Sequence, residues 1–287
     1  RAVAMESTGV YWIALFEVLE QAGFDVCVVN ARDAKNVPGR KSDIQDCQWL
    51  QKLHSYGLLS NSFRPTAEVR VLRGYMRQRE NLATGTHQCV QHIQKALTEM
   101  NIRLVQVFSD IMGLSGQRIL RAILAGERDP NVLVALVDRR VKASHEKICK
   151  SLQGDWREEQ LFIIEQQFKL HAHYQGLIEA CDQRIETHLQ QMKGIGRELT
   201  TPPTQTEPDA PLDVHESLQR LAGVDLTRIE GIQAKTAQIV ISEVGVDMSR
   251  WPTEKHFASW LGLCPNHQVT GGRVLKRHTR PVVNRAS

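Results

Sequence analysis

Three rhythms of apolar and polar residues follow one another along this chain. In the first, Arg1 to Met5 is a short apolar run that ends at Glu6-Ser7-Thr8-Gly9. Val10 to Gln21 then carries an apolar helical stripe through Ile13, Leu15, Phe16 and Leu19, which Gly23 ends, and Phe24 to Val29 is the β-branched and aromatic run of a buried strand. Strand, helix, strand in this order predicts a βαβ unit with a parallel sheet. Asn30 to Arg40 is a polar connection containing Pro38-Gly39, after which Ser42 to Leu59 returns to helical spacing through Ile44, Cys47, Leu50, Leu53 and His54, closed by Gly57.

The second rhythm, from about Thr66 to Arg197, is nearly all helical. Between Val90 and Leu114 apolar residues fall at alternating steps of three and four, through Ile93, Leu97, Met100, Leu104, Val107 and Ile111, which is a heptad seam. A second long helix, from about Asp155 to Met192, carries Ile164, Phe168, Ile178, Ile185, Leu189 and Met192, with polar interruptions at Gln175 and Asp182. Two long helices of matching length predict an antiparallel coiled-coil arm or a dimer element. Thr200 to Asp213 is rich in Pro, Thr and acid, and marks an exposed linker. Beyond it Val214 to Gly223 is a short helix, and Ile229-Glu230-Gly231-Ile232 turns into a helix from about Ala234 to Val244. Trp251-Pro252 opens a segment in which Phe257, Trp260 and Leu261 share one face. The expected fold class is α/β plus α, divided at 1–64, a helical coiled-coil region at 65–198, a linker at 199–213 and a C-terminal domain at 214–287.

Composition narrows this picture. The chain has 287 residues, 41% of them hydrophobic and 24% charged, which excludes a disordered or fibrous protein, and aromatics at 6% lean toward helix. The net charge of +4 permits a polyanionic partner without requiring one. Six cysteines (Cys27, Cys47, Cys89, Cys149, Cys181, Cys264) are scattered singly, as reduced intracellular residues are, with no zinc-finger spacing. No stretch approaches the ~18 apolar residues of a membrane span and no signal-peptide pattern opens the chain, so a cytoplasmic protein without membrane contact is expected. The start at Arg1 and the stop at Ser287 after a basic run lead us to expect a fragment of a longer protein.

Three constellations carry candidate chemistry. Glu6 ends a strand, and Asp43 and Asp46 stand at i and i+3 on one face of the next helix. In a parallel α/β sheet these positions share one edge, and three convergent carboxylates suit Mg²⁺ or Mn²⁺. The same aspartates behind Ser42 also read as helix capping, with no metal needed. Next, Ile229-Glu230-Gly231-Ile232-Gln233-Ala234-Lys235-Thr236-Ala237 has the form of a helix-hairpin-helix turn whose Gly admits a DNA phosphate, with Lys235 as counter-charge; an ordinary pair of helices around a packing Gly has the same text. Last, Thr270 precedes Gly271-Gly272 and Arg273, followed by Lys276, Arg277, His278 and Arg280. A hydroxyl on such a backbone beside positive charge suits attack on phosphorus or phosphate anchoring, while a basic surface loop is the plainer reading. His87, His92, His171 and His173 lie on the long helices, where solvated or seam positions outweigh ligand roles.

Taken in order, the blocks MESTGVYW, VNARDAKNVPGRKSDIQDCQWLQKLHSYGLL, IEGIQAKTAQIVISEVGVDMSRW and FASWLGLCPNHQVTGGRVLKRHTR resemble the IS110/IS1111-type (IS116/IS110/IS902) transposases of bacterial insertion sequences. The resemblance covers essentially the whole chain. It implies a partial RuvC-like ribonuclease-H-fold domain with a four-acid Asp-Glu-Asp-Asp site for Mg²⁺ (or Mn²⁺), a coiled-coil dimerisation region, and a C-terminal transposase domain with a nucleophilic serine. It also implies strand exchange on DNA, guided by an element-encoded RNA, in a nucleoid-associated homodimer or homotetramer. Glu6, Asp43 and Asp46 match the last three acids, and the first would precede Arg1. Thr270 stands where the family has its serine.

The expectation is therefore a DNA transposase, inactive as this fragment, with Glu6, Asp43 and Asp46 as metal ligands and Thr270 as nucleophile. Lys235, Arg273, Lys276, Arg277 and Arg280 would hold DNA. A RuvC-like metal-dependent junction nuclease and a non-catalytic DNA-binding scaffold are the competing readings.

Overall fold

The computed structural model describes residues 1–30, 43–192, 214–265, 267–276 and 279. The chain divides into two compact units, Arg1–Pro65 and Thr66–Ser287.

In the first unit β1 (Ala2–Glu6) pairs in parallel with β2 (Asp25–Val29), in register from Ala2 opposite Asp25 to Glu6 opposite Val29, with α1 (Trp12–Gln21) between them. This is the βαβ unit that the apolar runs predict. Helix α1 stops where Gly23 takes a φ of +77°, a left-handed turn that lets the Phe24 amide reach back to the Leu19 carbonyl at 3.0 Å. The small core comprises Met5, Phe16, Val26 and Val28, with Trp12, Leu19 and Phe24 packed around it. Ile13 and Leu15, expected in the buried stripe, are exposed instead. The helix turns Trp12, Phe16 and Leu19 inward, the i, i+4, i+7 set that one narrow sheet can cover. The outer edge of β2 is closed at Val28, whose amide and carbonyl bond to the Asn61 side chain (3.0 Å) and the Ser62 amide (2.7 Å). Helix α2 (Asp43–Ser55) packs on β1 and buries none of its residues fully, Ile44 and Cys47 of its expected stripe being exposed.

The second unit is built on two long helices, α3 (Ala67–Glu99) and α7 (Glu158–Gln191). Their pairings run in opposite senses: His188 meets the Glu68 carbonyl, Arg79 meets Asp182, His92 meets Gln167, and Gln160 meets Glu99. The pair is therefore antiparallel. Continuity through the heptad seam fails at Met100. Asn101 adopts a φ of +59°, its amide bonds to Thr98, and the Ile102 amide returns to Leu97 at 2.8 Å with both side chains buried. That is a hydrogen-bonded helix stop sealed by an apolar contact. The later seam residues Met100, Leu104 and Ile111 are buried, but in a cap made of α4 (Leu114–Leu124), α5 (Pro130–Ala135) and α6 (His145–Ser151).

At the other end of the long pair, Val69, Leu72, Met76, Ile185 and Leu189 share a core with Leu218 and Leu221 of α8 (Val214–Ala222) and Ala237 and Ile241 of α9 (Ala234–Val244). Beyond α9, Trp251 packs against Phe257 and Trp260 of α10 (Glu254–Leu261). A hairpin of β3 (Gln268–Thr270) and β4 (Arg273–Lys276) follows. The expected linker at 199–213 lies outside the described residues. Among the described residues no helix is long and apolar enough to cross a membrane.

Candidate functional site

Glu6 occupies the last position of β1, half-buried. The text after it folds back on the strand end. Ser7 gives both its amide (2.9 Å) and its hydroxyl (3.1 Å) to the Val29 carbonyl, and the Thr8 hydroxyl donates to Glu6 Oε1 at 2.8 Å. One carboxylate oxygen is thus oriented by a neighbour. Asp43 and Asp46 form the first turn of α2, exposed and one above the other, where the unsatisfied amides and the helix dipole favour anions. Ser42 lies outside the described residues.

All three acids belong to the first unit, with α2 lying against the strand that carries Glu6. They do not close into a ligating cluster: among the described residues, no three His, Cys, Asp or Glu side chains gather closely enough to hold a metal ion. The donor set nonetheless fits a hard divalent cation, since it consists of carboxylates and a hydroxyl.

Thr270 ends β3 at the tip of the hairpin. Gly271 and Gly272 form the two-residue loop with φ of +51° and +76°, the two positive values that a mirror-image turn requires and that residues with a Cβ resist. Thr270 stands directly opposite Arg273 in the antiparallel register, so both side chains leave the same face of the hairpin. Both are exposed. A hydroxyl and a guanidinium are thereby presented together to anything that approaches the tip. Lys276 ends β4, while Arg277 and Arg280 lie outside the described residues.

Lys235 lies on the exposed first turn of α9, after a turn in which Gly231 has a φ of +86°. Ala237, six positions after that Gly, is buried against α3 and α8, so the small residue in the motif serves close packing. Lys235 also lines a cavity of about 180 Å³ with Arg77, Arg79, Glu80 and Glu243. The sequence reading missed the ion cluster beneath it. Glu243, 2% exposed at the end of α9, receives Arg77 Nη2 at 2.9 and 3.0 Å and Arg73 Nε at 3.3 Å. Arg73 also donates to the carbonyls of Ser242 and Glu243. The available signal was arginines at 70, 73 and 77 on an otherwise seam-forming helix, and a lone acid ending an apolar one.

No curated protein matches the chain. Two family models do, and they fall on the two sets of candidate residues. Residues 2–102, with Glu6, Asp43 and Asp46, match the DEDD transposase model of IS110 elements. Residues 215–286, with Lys235, Thr270, Arg273, Lys276, Arg277 and Arg280, match the model described as transposase, IS116/IS110/IS902 family. With both models matched in order and together spanning more than half of its length, the chain belongs to the IS110 family of transposases.

Proposed function

We propose that this chain carries the strand-cleaving and strand-exchanging residues of an insertion-sequence DNA transposase, with a carboxylate-held cation in its first unit and the Thr270 hydroxyl as nucleophile in its second. The observation that carries this reading is the hairpin register, which sets a hydroxyl and a guanidinium on one face of a two-glycine tip inside the transposase-matched stretch.

Glu6, Asp43 and Asp46 are the residues that would hold Mg²⁺ or Mn²⁺, in a RuvC-like ribonuclease-H fold whose set is completed by a fourth acid. Such a cation supplies neutralisation of charge on the phosphodiester oxygens. The Thr8 hydroxyl, bonded to Glu6 Oε1, orients that carboxylate. At the hairpin, Thr270 Oγ1 forms a bond to phosphorus and the bond from phosphorus to one sugar oxygen breaks. The expelled oxygen takes up the proton that the hydroxyl loses. Arg273 neutralises the phosphate through charge-assisted hydrogen bonds. Lys235, Lys276, Arg277 and Arg280 add counter-charge along the backbone. The extra methyl of threonine restricts χ1 and crowds the attack relative to serine. Exchange of two strands calls for at least two nucleophiles, hence a homodimer or homotetramer, and an element-encoded RNA selects the target.

The test incubates the chain, alone and extended at its N-terminus by a strand that supplies the fourth acid, with Mg²⁺ and a labelled element-end duplex, and follows strand cleavage and detergent-stable protein–DNA adduct on denaturing gels. The expected result is no adduct in the chain alone and an adduct in the extended chain, with more of it in Thr270→Ser, none in Thr270→Ala, and no cleavage in Asp43→Ala/Asp46→Ala of that extended chain. Cleavage that persists in Thr270→Ala without adduct replaces the covalent step with hydrolysis by water. Salt-sensitive binding with no cleavage in any arm reduces the chain to a scaffold.

A further inference from the structure

Residues 103–214 lie between the two matched stretches. Within them, the thirteen residues from Asp138 to Lys150 contain Arg139, Arg140, Lys142, Lys147 and Lys150 against Asp138 and Glu146, a surplus of +3 in a chain whose net charge is +4. The two acids are already matched: Arg140 Nε lies 2.9 Å from Asp138 Oδ1, and Lys150 Nζ lies 2.7 Å from Glu146 Oε1. The surplus therefore resides on Arg139, Lys142 and Lys147, all three exposed. Arg118, on α4, adds its field at Asp138 from the side.

The backbone that carries these cations is held firmly. Leu133, Val134 and Ile148 are buried in the cap's core, Ser115 Oγ accepts from the Asp138 amide at 2.9 Å, and the Val141 amide bonds to the Asp138 carbonyl at 3.0 Å. Ser144 caps α6 through the Lys147 amide. The backbone that carries the charges is thus held in place, which removes its share of the ordering cost of meeting phosphates. The stretch holds no Trp, Tyr or Phe, and its one ring is the exposed His145, so it offers no run of stacking platforms for successive unpaired bases.

We infer that this basic stretch of the helical cap is a second DNA-binding surface, which grips the phosphate backbone of duplex DNA without reading bases. The inference rests on the reading of the chain as a DNA-recombining enzyme and extends it to a part of the chain that neither family model covers. The role of the surface is to hold flanking duplex while chemistry proceeds elsewhere.

The experiment measures fluorescence anisotropy of a labelled random-sequence duplex against the full chain across a salt series, with EDTA present so that no cleavage intervenes. Arg139→Gln/Lys142→Gln/Lys147→Gln is compared with the unsubstituted chain and with Lys95→Gln/Lys169→Gln/Arg184→Gln, which removes the same charge from the sides of the long helices. Each lost phosphate contact lowers the slope of log affinity against log salt by about 0.9, so the cap variant is expected to lose about 2–3 of that slope, equally for any sequence, while the helix-side variant keeps it. Equal losses in the two variants, or none in the cap variant, overturn the inference alone. A larger loss on a structured RNA hairpin than on duplex DNA overturns it in favour of RNA. Failure of the unsubstituted chain to bind any duplex defeats both this inference and the proposed function.

Discussion

The ion cluster at Glu243 offers the sharpest test of how the C-terminal helices are held on the long pair. Glu243 is 2% exposed and shared by two guanidiniums from α3, more than 160 residues away in sequence. Burial pulls the Arg73 pKa below its usual value, and the Glu243 charge opposes that pull. Glu243→Gln keeps the shape but deletes the anion, leaving a half-buried Arg73 without a counter-charge. Removing one partner of a buried pair costs about 3–5 kcal/mol. Two features place this site at the lower end. The Arg77 side chain is 39% exposed and regains water, and Arg73 keeps the Ser242 and Glu243 carbonyls.

The expected cost is therefore about 3 kcal/mol, or roughly 6–12 °C in the melting temperature of a unit of this size. Urea denaturation followed by helical circular dichroism reads it directly. Arg77→Gln alone is expected to cost less, about 1–2 kcal/mol, because Arg73 still pairs with Glu243. The double variant should then add little to Glu243→Gln, since both changes remove one interaction. A loss below about 1 kcal/mol in Glu243→Gln, or full additivity in the double variant, would refute the account of Glu243 as the ionic anchor of α9 on α3.

Three further predictions concern stability. Gly116→Ala would place a Cβ 2.0 Å from the Ile111 carbonyl oxygen, a clash with backbone, and should cost about 3 kcal/mol or more in a denaturant titration. Gly74→Ala, mid-helix on α3 with nothing within 4 Å of the new methyl, should instead stabilise by about 0.5–1 kcal/mol; opposite signs for the two substitutions are the measurement's criterion. His171 is buried on α7, and burial holds its pKa below the usual value against the weaker upward pull of Asp110. The unfolded chain therefore binds a proton that the folded chain resists, so stability should decline as pH falls from about 6.5 toward the lowered folded pKa. His171→Leu should flatten that decline in melts taken across this pH range.

The first unit and the second long helix were legible because their signals are local. A continuous apolar run with Gly23 at its boundary specifies strand and helix stop within a few residues, and the helix expected from about Asp155 to Met192 is found at Glu158–Gln191. The break at Met100 was not legible from periodicity, for a physical reason. A compact cap needs buried residues at a density close to that of a seam, so Leu104 and Ile111 keep the three-and-four spacing although the chain has left the helix. The deciding signal was the pair Asn101-Ile102, a left-handed residue followed by an apolar one that returns to Leu97.

The same distinction governs the site. Residue types at a strand end, a helix start and a two-glycine turn can be read from short text, and Glu6, Asp46 and Thr270 stand on such elements. The distances among the acids of the first unit cannot be read there, because they depend on how α2 is laid on β1 rather than on any spacing along the chain. Glu243 is the extreme case. Its two arginines are recognisable as partners only after α9 has docked on α3, so a buried ionic anchor left no more trace in the sequence than an acid at the end of an apolar helix.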